Sequence, residues 1–159
     1  MFKLRYSVIY LSLIAGIILM ILPLPESVKT YRPDWVALIL IYWSMALPKR
    51  VGLLAAFIAG ILVDVSQGTL LGQHALALVI IIFINQNFYQ RIRVLSLVQQ
   101  ALYVFLLLFI NQIVTVWVEG FLGRPTPFYA FLGAPVIGML IWPWVFVTLR
   151  DIRRKAHLS

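Results

Sequence analysis

No cysteine occurs among the 159 residues, which excludes disulfide frameworks, cysteine zinc sites, iron–sulfur ligation and thiol catalysis together. Charge is scarce too: Asp, Glu, Lys and Arg make up 11% of the chain, against about 25% in an average soluble domain. Five residues are acidic and two are histidine. No pair of deep carboxylates, no Ser–His–Asp set and no phosphate-cradling glycine loop with a lysine is evident, and no cofactor or metal is expected. What the chain does have is apolar surface. Hydrophobic residues account for 63%, and the polar remainder is too small to cover a soluble domain of this size. The net charge of +8 comes from 13 Lys and Arg in short clusters between apolar stretches. That distribution orients a chain in a membrane and does not describe a nucleic-acid surface.

The apolar stretches predict a single all-α polytopic membrane domain over residues 1–159 with six transmembrane helices, at about 6–22, 35–47, 51–71, 75–88, 94–118 and 128–149. The first follows Lys3 and Arg5 as a signal peptide would, yet no A-x-A-like cleavage site comes after it, so an uncleaved helix is expected. The second is short. Thirteen residues make roughly 20 Å of helix against a hydrocarbon core of about 30 Å, so it must be extended, tilted into thinner bilayer or sheltered by its neighbours.

Charge placement tests this layout independently of hydropathy. With both termini cytoplasmic, Lys3, Arg5, Lys49, Arg50, Arg91, Arg93, Arg150, Arg153, Arg154 and Lys155 lie inside, and Lys29, Arg32 and Arg124 outside. Ten against three satisfies the positive-inside rule, and any odd number of crossings puts a basic cluster on the wrong side. Tyr6, Tyr10, Trp35, Tyr42, Trp43, Tyr89, Trp117, Trp142 and Trp144 are expected as interfacial anchors.

Between Val51 and His74, small or polar residues recur at every fourth position: Gly52, Ala56, Gly60, Asp64, Gly68 and Gly72. On one helix they form a slowly drifting stripe on which a neighbouring backbone can pack closely. Asp64 falls roughly 21 Å along the helix from Arg50. An ionised carboxylate at that depth needs a partner, either a protein contact or ligand site, or a turn that it caps. His74 is expected at the interface. The segment Arg32-Pro33-Asp34-Trp35 reads as a helix entry, with proline at the start, aspartate in the first turn and tryptophan at headgroup level, and a partner can dock there. Glu119 reads as a solvated charge near Arg124. Asn111 and Gln112 are expected to bond other helices, and Pro135 and Pro143 to kink the last span.

Taken in order, Arg32-Pro33-Asp34-Trp35, Tyr42-Trp43, Pro48-Lys49-Arg50, Gly60-x3-Asp64-x3-Gly68-x3-Gly72 and Trp142-Pro143-Trp144 resemble the MreD family of rod shape-determining proteins of the bacterial inner membrane. The resemblance covers essentially the whole chain. It implies a non-enzymatic subunit of the complex that elongates the lateral cell wall. The implied partners are MreC through its membrane helix, the MreB filament, the RodA and penicillin-binding protein 2 synthases, and membrane lipids. It also implies a fold similar to the six-helix substrate-binding subunits of energy-coupling-factor transporters. On that likeness Gly60, Asp64, Gly68 and Gly72 form an interaction or pocket element. The alternative is a small-molecule or lipid-binding transporter subunit, which needs a cavity lined by Asp64, His74, Asn111 and Gln112.

Overall fold

The structure, a computed structural model, describes residues 2–21, 35–46, 51–67, 72–121, 123 and 128–155. Within them the fold is all-helical: α1 (Phe2–Ile21), α2 (Trp35–Ala46), α3 (Leu53–Gln67), α4 (Gln73–Ile92), α5 (Leu97–Phe121) and α6 (Phe128–Lys155). Three of the helices, α4, α5 and α6, are long and apolar enough to cross a membrane, and α1, α2 and α3 contribute shorter apolar stretches. Four of the five sequence-adjacent pairs pack together, α1 on α2, α3 on α4, α4 on α5 and α5 on α6, whereas α3 leans on α1 and α4 rather than on α2.

The short helix lies in the middle. α2 packs against α1, α4, α5 and α6, and every residue from Val36 to Ala46 is buried. Among the routes open to a segment too short for the bilayer, shelter is the one the structure takes. Because protein surrounds α2, its length need not match the hydrocarbon thickness. An all-round apolar sequence, Trp35-Val-Ala-Leu-Ile-Leu-Ile-Tyr-Trp-Ser-Met-Ala46, is what a helix buried on every side requires.

This burial corrects the expectation for three aromatic residues. Tyr42, Trp43 and Trp142 are at most 2% exposed and build the core. Tyr42 meets Trp43 and Phe146 edge-on at 5.3 and 5.5 Å between ring centroids. The Trp43 indole N–H donates to Ser12 Oγ at 2.9 Å, pinning α2 to α1. Tyr10, Trp117 and Trp144 do face outward, where an amphipathic ring suits the membrane interface.

Two helix ends show how local sequence shapes the bundle. α5 starts with a capping box: the Ser96 hydroxyl accepts from the Gln99 N–H, and the Gln99 amide oxygen accepts from the Ser96 N–H, at 3.4 and 3.2 Å. α6 continues past the apolar stretch to Lys155 and contains both Pro135 and Pro143 without ending at either. Its last turn carries Arg153, Arg154 and Lys155, cations that complement the negative end of a helix dipole.

Candidate functional site

The small-residue stripe leads to a close contact between α3 and α4. Ala56, Ala59, Val63 and Asp64 are buried on one face of α3, as is Gly60. A β-carbon placed on Gly60 would run into the Ala75 Cα and sit 2.5 Å from its amide nitrogen and 2.9 Å from the His74 carbonyl carbon. Real β-carbons do not approach backbone so closely. The missing side chain thus lets the first turn of α4 lie directly on α3.

One turn further on, the fully buried Asp64 carboxylate receives the start of α4. Its Oδ2 accepts from the Gly72 N–H at 2.9 Å, and Oδ1 and Oδ2 accept from the His74 N–H at 3.0 and 3.2 Å. Oδ1 also lies 2.7 Å from His74 Nδ1. The first N–H groups of a helix have no partner within it and carry the positive end of its dipole, so a carboxylate supplied by the preceding helix suits them in charge and geometry. The imidazole is thereby oriented, with a side chain only 13% exposed, and His74 is held against Asp64 in the first turn of α4. Gly72 has a different task from Gly60. No atom lies near its absent side chain, but its φ of +98° is one that residues with a β-carbon rarely adopt.

The stripe is accordingly not continuous on one helix. α3 ends at Gln67, and Gly72 stands before α4 as its cap. A four-residue period continues across a chain reversal by coincidence of spacing. Gly68, Arg32, Pro33 and Asp34 lie outside the described residues. Trp35 opens α2 and packs partly against the core.

Beside the capped junction, Gln73 is buried and its amide donates to Glu119 Oε1 at 3.0 Å and to the Thr115 carbonyl at 3.5 Å. Glu119, expected as a loop charge, ties α5 to the start of α4. Asn111 is buried, and beside it and Gln112 there is a space of about 10 Å³, lined also by Leu108, Ala134 and Pro135. That is roughly a single water. Among the described residues, Asp64 and His74 do not line this space with Asn111 and Gln112. Among the described residues no group of three or more His, Asp or Glu comes together as a metal site.

At the opposite, basic end, two polar connections are invisible to local patterning. The Asn85 amide donates to the Ile41 carbonyl at 3.1 Å and accepts from the Tyr103 hydroxyl at 3.0 Å, linking α2, α4 and α5. Arg93 donates from Nε to the Met45 carbonyl and from Nη2 to the Ala46 carbonyl, both at 2.8 Å. The sequence marks Arg93 only as an orienting cation. Its partners are 47 and 48 residues away, and no short-range spacing announces them.

Comparison with known proteins identifies the family. The family model described as rod shape-determining protein MreD matches residues 1–152. The rod shape-determining protein MreD of Haemophilus influenzae is 37% identical over 160 residues, covering 99% of this chain and 97% of that protein. No solved structure matches. An apolar helical bundle with this full-length likeness is a membrane protein of the cell-shape machinery, and the chain belongs to the MreD family of rod shape-determining proteins.

Proposed function

We propose that the chain is a non-enzymatic subunit of the bacterial cell-elongation complex. It crosses the inner membrane six times with both termini cytoplasmic. It helps set rod shape by joining MreC, through its membrane helix, to the MreB filament and to the RodA and penicillin-binding protein 2 synthases. The observation that carries this reading is family membership over the full length of the chain.

The geometry supports a scaffold. In this reading Gly60, Asp64 and Gly72 are helix-packing residues that set the α3–α4 junction, with Gly68 between them in sequence, and Arg32, Pro33, Asp34 and Trp35 form an entry segment beside which a partner docks. Because α4 covers the small-residue face of α3, partner helices are met by the outward faces. Those include Leu54, Phe57, Ile58, Leu62 and Val65 on α3, whose side chains contact lipid or another helix by shape.

The test is genetic and biochemical together. A rod-shaped host lacking its own MreD should turn round or irregular, regain rods when given this chain, and yield MreC with the tagged chain in mild detergent. Failure of rescue by a chain present at normal levels, or rescue without any association with MreC, would overturn the proposal.

A further inference from the structure

The basic end of the bundle carries a groove with no role so far. Its volume is about 330 Å³, and among the described residues it is lined by Tyr42, Met45, Ala46, Arg93, Gln100, Phe146 and Arg153. That size lies at the lower end of small-molecule pockets, which run from about 300 Å³. Two of its polar atoms are buried without a partner. Tyr42 is 2% exposed and its hydroxyl has no hydrogen bond; Gln100 is 1% exposed and its amide oxygen has none. The Gln100 amide cannot simply be turned over, because its NH2 donates to the Ile92 carbonyl at 3.0 Å and the Leu95 carbonyl at 3.4 Å. Leaving such groups dry and unpaired is unfavourable, and each unmatched group in a native fold calls for an occupant.

The occupant's chemistry follows from the lining. Two guanidinium groups and a phenolic O–H ask for an acceptor carrying negative charge, and the Gln100 oxygen asks for a donor close to it. The apolar floor of Met45, Ala46 and Phe146 asks for carbon. On the topology proposed above, the groove also sits at a membrane-interface depth, where α2 ends, α4 turns into α5 and the apolar stretch of α6 gives way to Arg150–Lys155. We infer that this groove holds the phosphodiester headgroup of a glycerophospholipid whose headgroup bears a hydrogen-bond donor. Arg153, Arg93 and the Tyr42 hydroxyl meet the phosphate, and Gln100 accepts from the headgroup's ammonium or hydroxyl. Arg93 serves twice, since its Nε and Nη2 already hold the end of α2.

The experiment is native mass spectrometry of the full chain purified in mild detergent and progressively delipidated. Wild type and the Arg154→Gln control, at an exposed position outside the lining, should keep a single phospholipid. Tyr42→Phe and Arg153→Gln should each cut the retained fraction about tenfold by removing a charge-assisted bond. Tyr42→Phe removes only an unpartnered hydroxyl, so the delipidated variant should melt no lower than wild type. Glycerophosphoethanolamine, added at millimolar concentration, should not replace the lipid's protection against heat. Equal retention in all four proteins would overturn the inference, as would the free headgroup or inorganic phosphate protecting as well as the intact lipid.

Discussion

Asp64 and His74, ten residues apart, clasp each other across the junction of α3 and α4: one carboxylate takes both the backbone N–H and the ring nitrogen of the histidine, at 3.0 and 2.7 Å through the same oxygen. An intramembrane acid that could signal a ligand site is here an anchor for the next helix. Asp64→Asn keeps the shape but turns one acceptor into an NH2 facing N–H donors. A loss of about 1.5–3 kcal/mol is expected, the range for hydrogen bonds to charged groups. Thermal unfolding in detergent of Asp64→Ala, His74→Ala and the double variant should show a coupling of about 0.5–3 kcal/mol.

Gly60 and Gly120 separate crowding from composition. Gly60→Ala must push the Ala75 backbone away, and overpacking of this kind destabilises by about 1–3 kcal/mol. Gly60→Leu should reduce the accumulated protein sharply. Gly120→Ala meets nothing within 4 Å and sits inside α5, so it should be neutral or stabilise by up to about 1 kcal/mol through helix propensity. Melting temperature and steady-state level in membranes read both.

Gly72 tests conformation where Gly60 tests space. Nothing crowds its α-carbon, yet its φ is +98°. Gly72→Ala should cost about 1–2 kcal/mol from the left-handed backbone alone. If it melts like Gly120→Ala, the cap of α4 does not need that conformation.

Arg93 is expected to hold the end of α2. The last carbonyls of a helix have no partner within it, and Arg93 takes those of Met45 and Ala46. Arg93→Ala should destabilise by about 1.5–3 kcal/mol for the lost charged hydrogen bonds. Arg93→Lys should restore only part, since a lysine lacks the planar fork that reaches two carbonyls at once. Protease cleavage after Lys49 or Arg50 should quicken in both variants, and unchanged cleavage would count against the clamp.

The sequence carried the helices and the Ala56–Gly60–Asp64 contact face because both are written in short periods, apolar length for one and fourfold spacing for the other. Its errors have a common physical cause. Tyr42, Trp43 and Trp142 look like interfacial anchors by composition, but α2 is enclosed on all sides, and enclosure is a property of tertiary packing. Gly72 continued the period and yet belongs to the next helix. Arg93, Gln100 and Tyr42 acquire their roles only when α2, the α4–α5 turn and α6 meet. Ser96 and Gln99, by contrast, stood at capping-box spacing and were open to detection from sequence.

Under the proposed scaffold role, the outward apolar faces meet MreC while α4 closes the small-residue face of α3. The most direct measurement places a photoreactive residue at outward Leu62 or Val65, or at inward Ala56, in cells that depend on this chain for rod shape. Capture of MreC from outward positions, with only intramolecular products from Ala56, is the expected result. Capture of MreC from Ala56, or from no outward position in cells that remain rods, would contradict it.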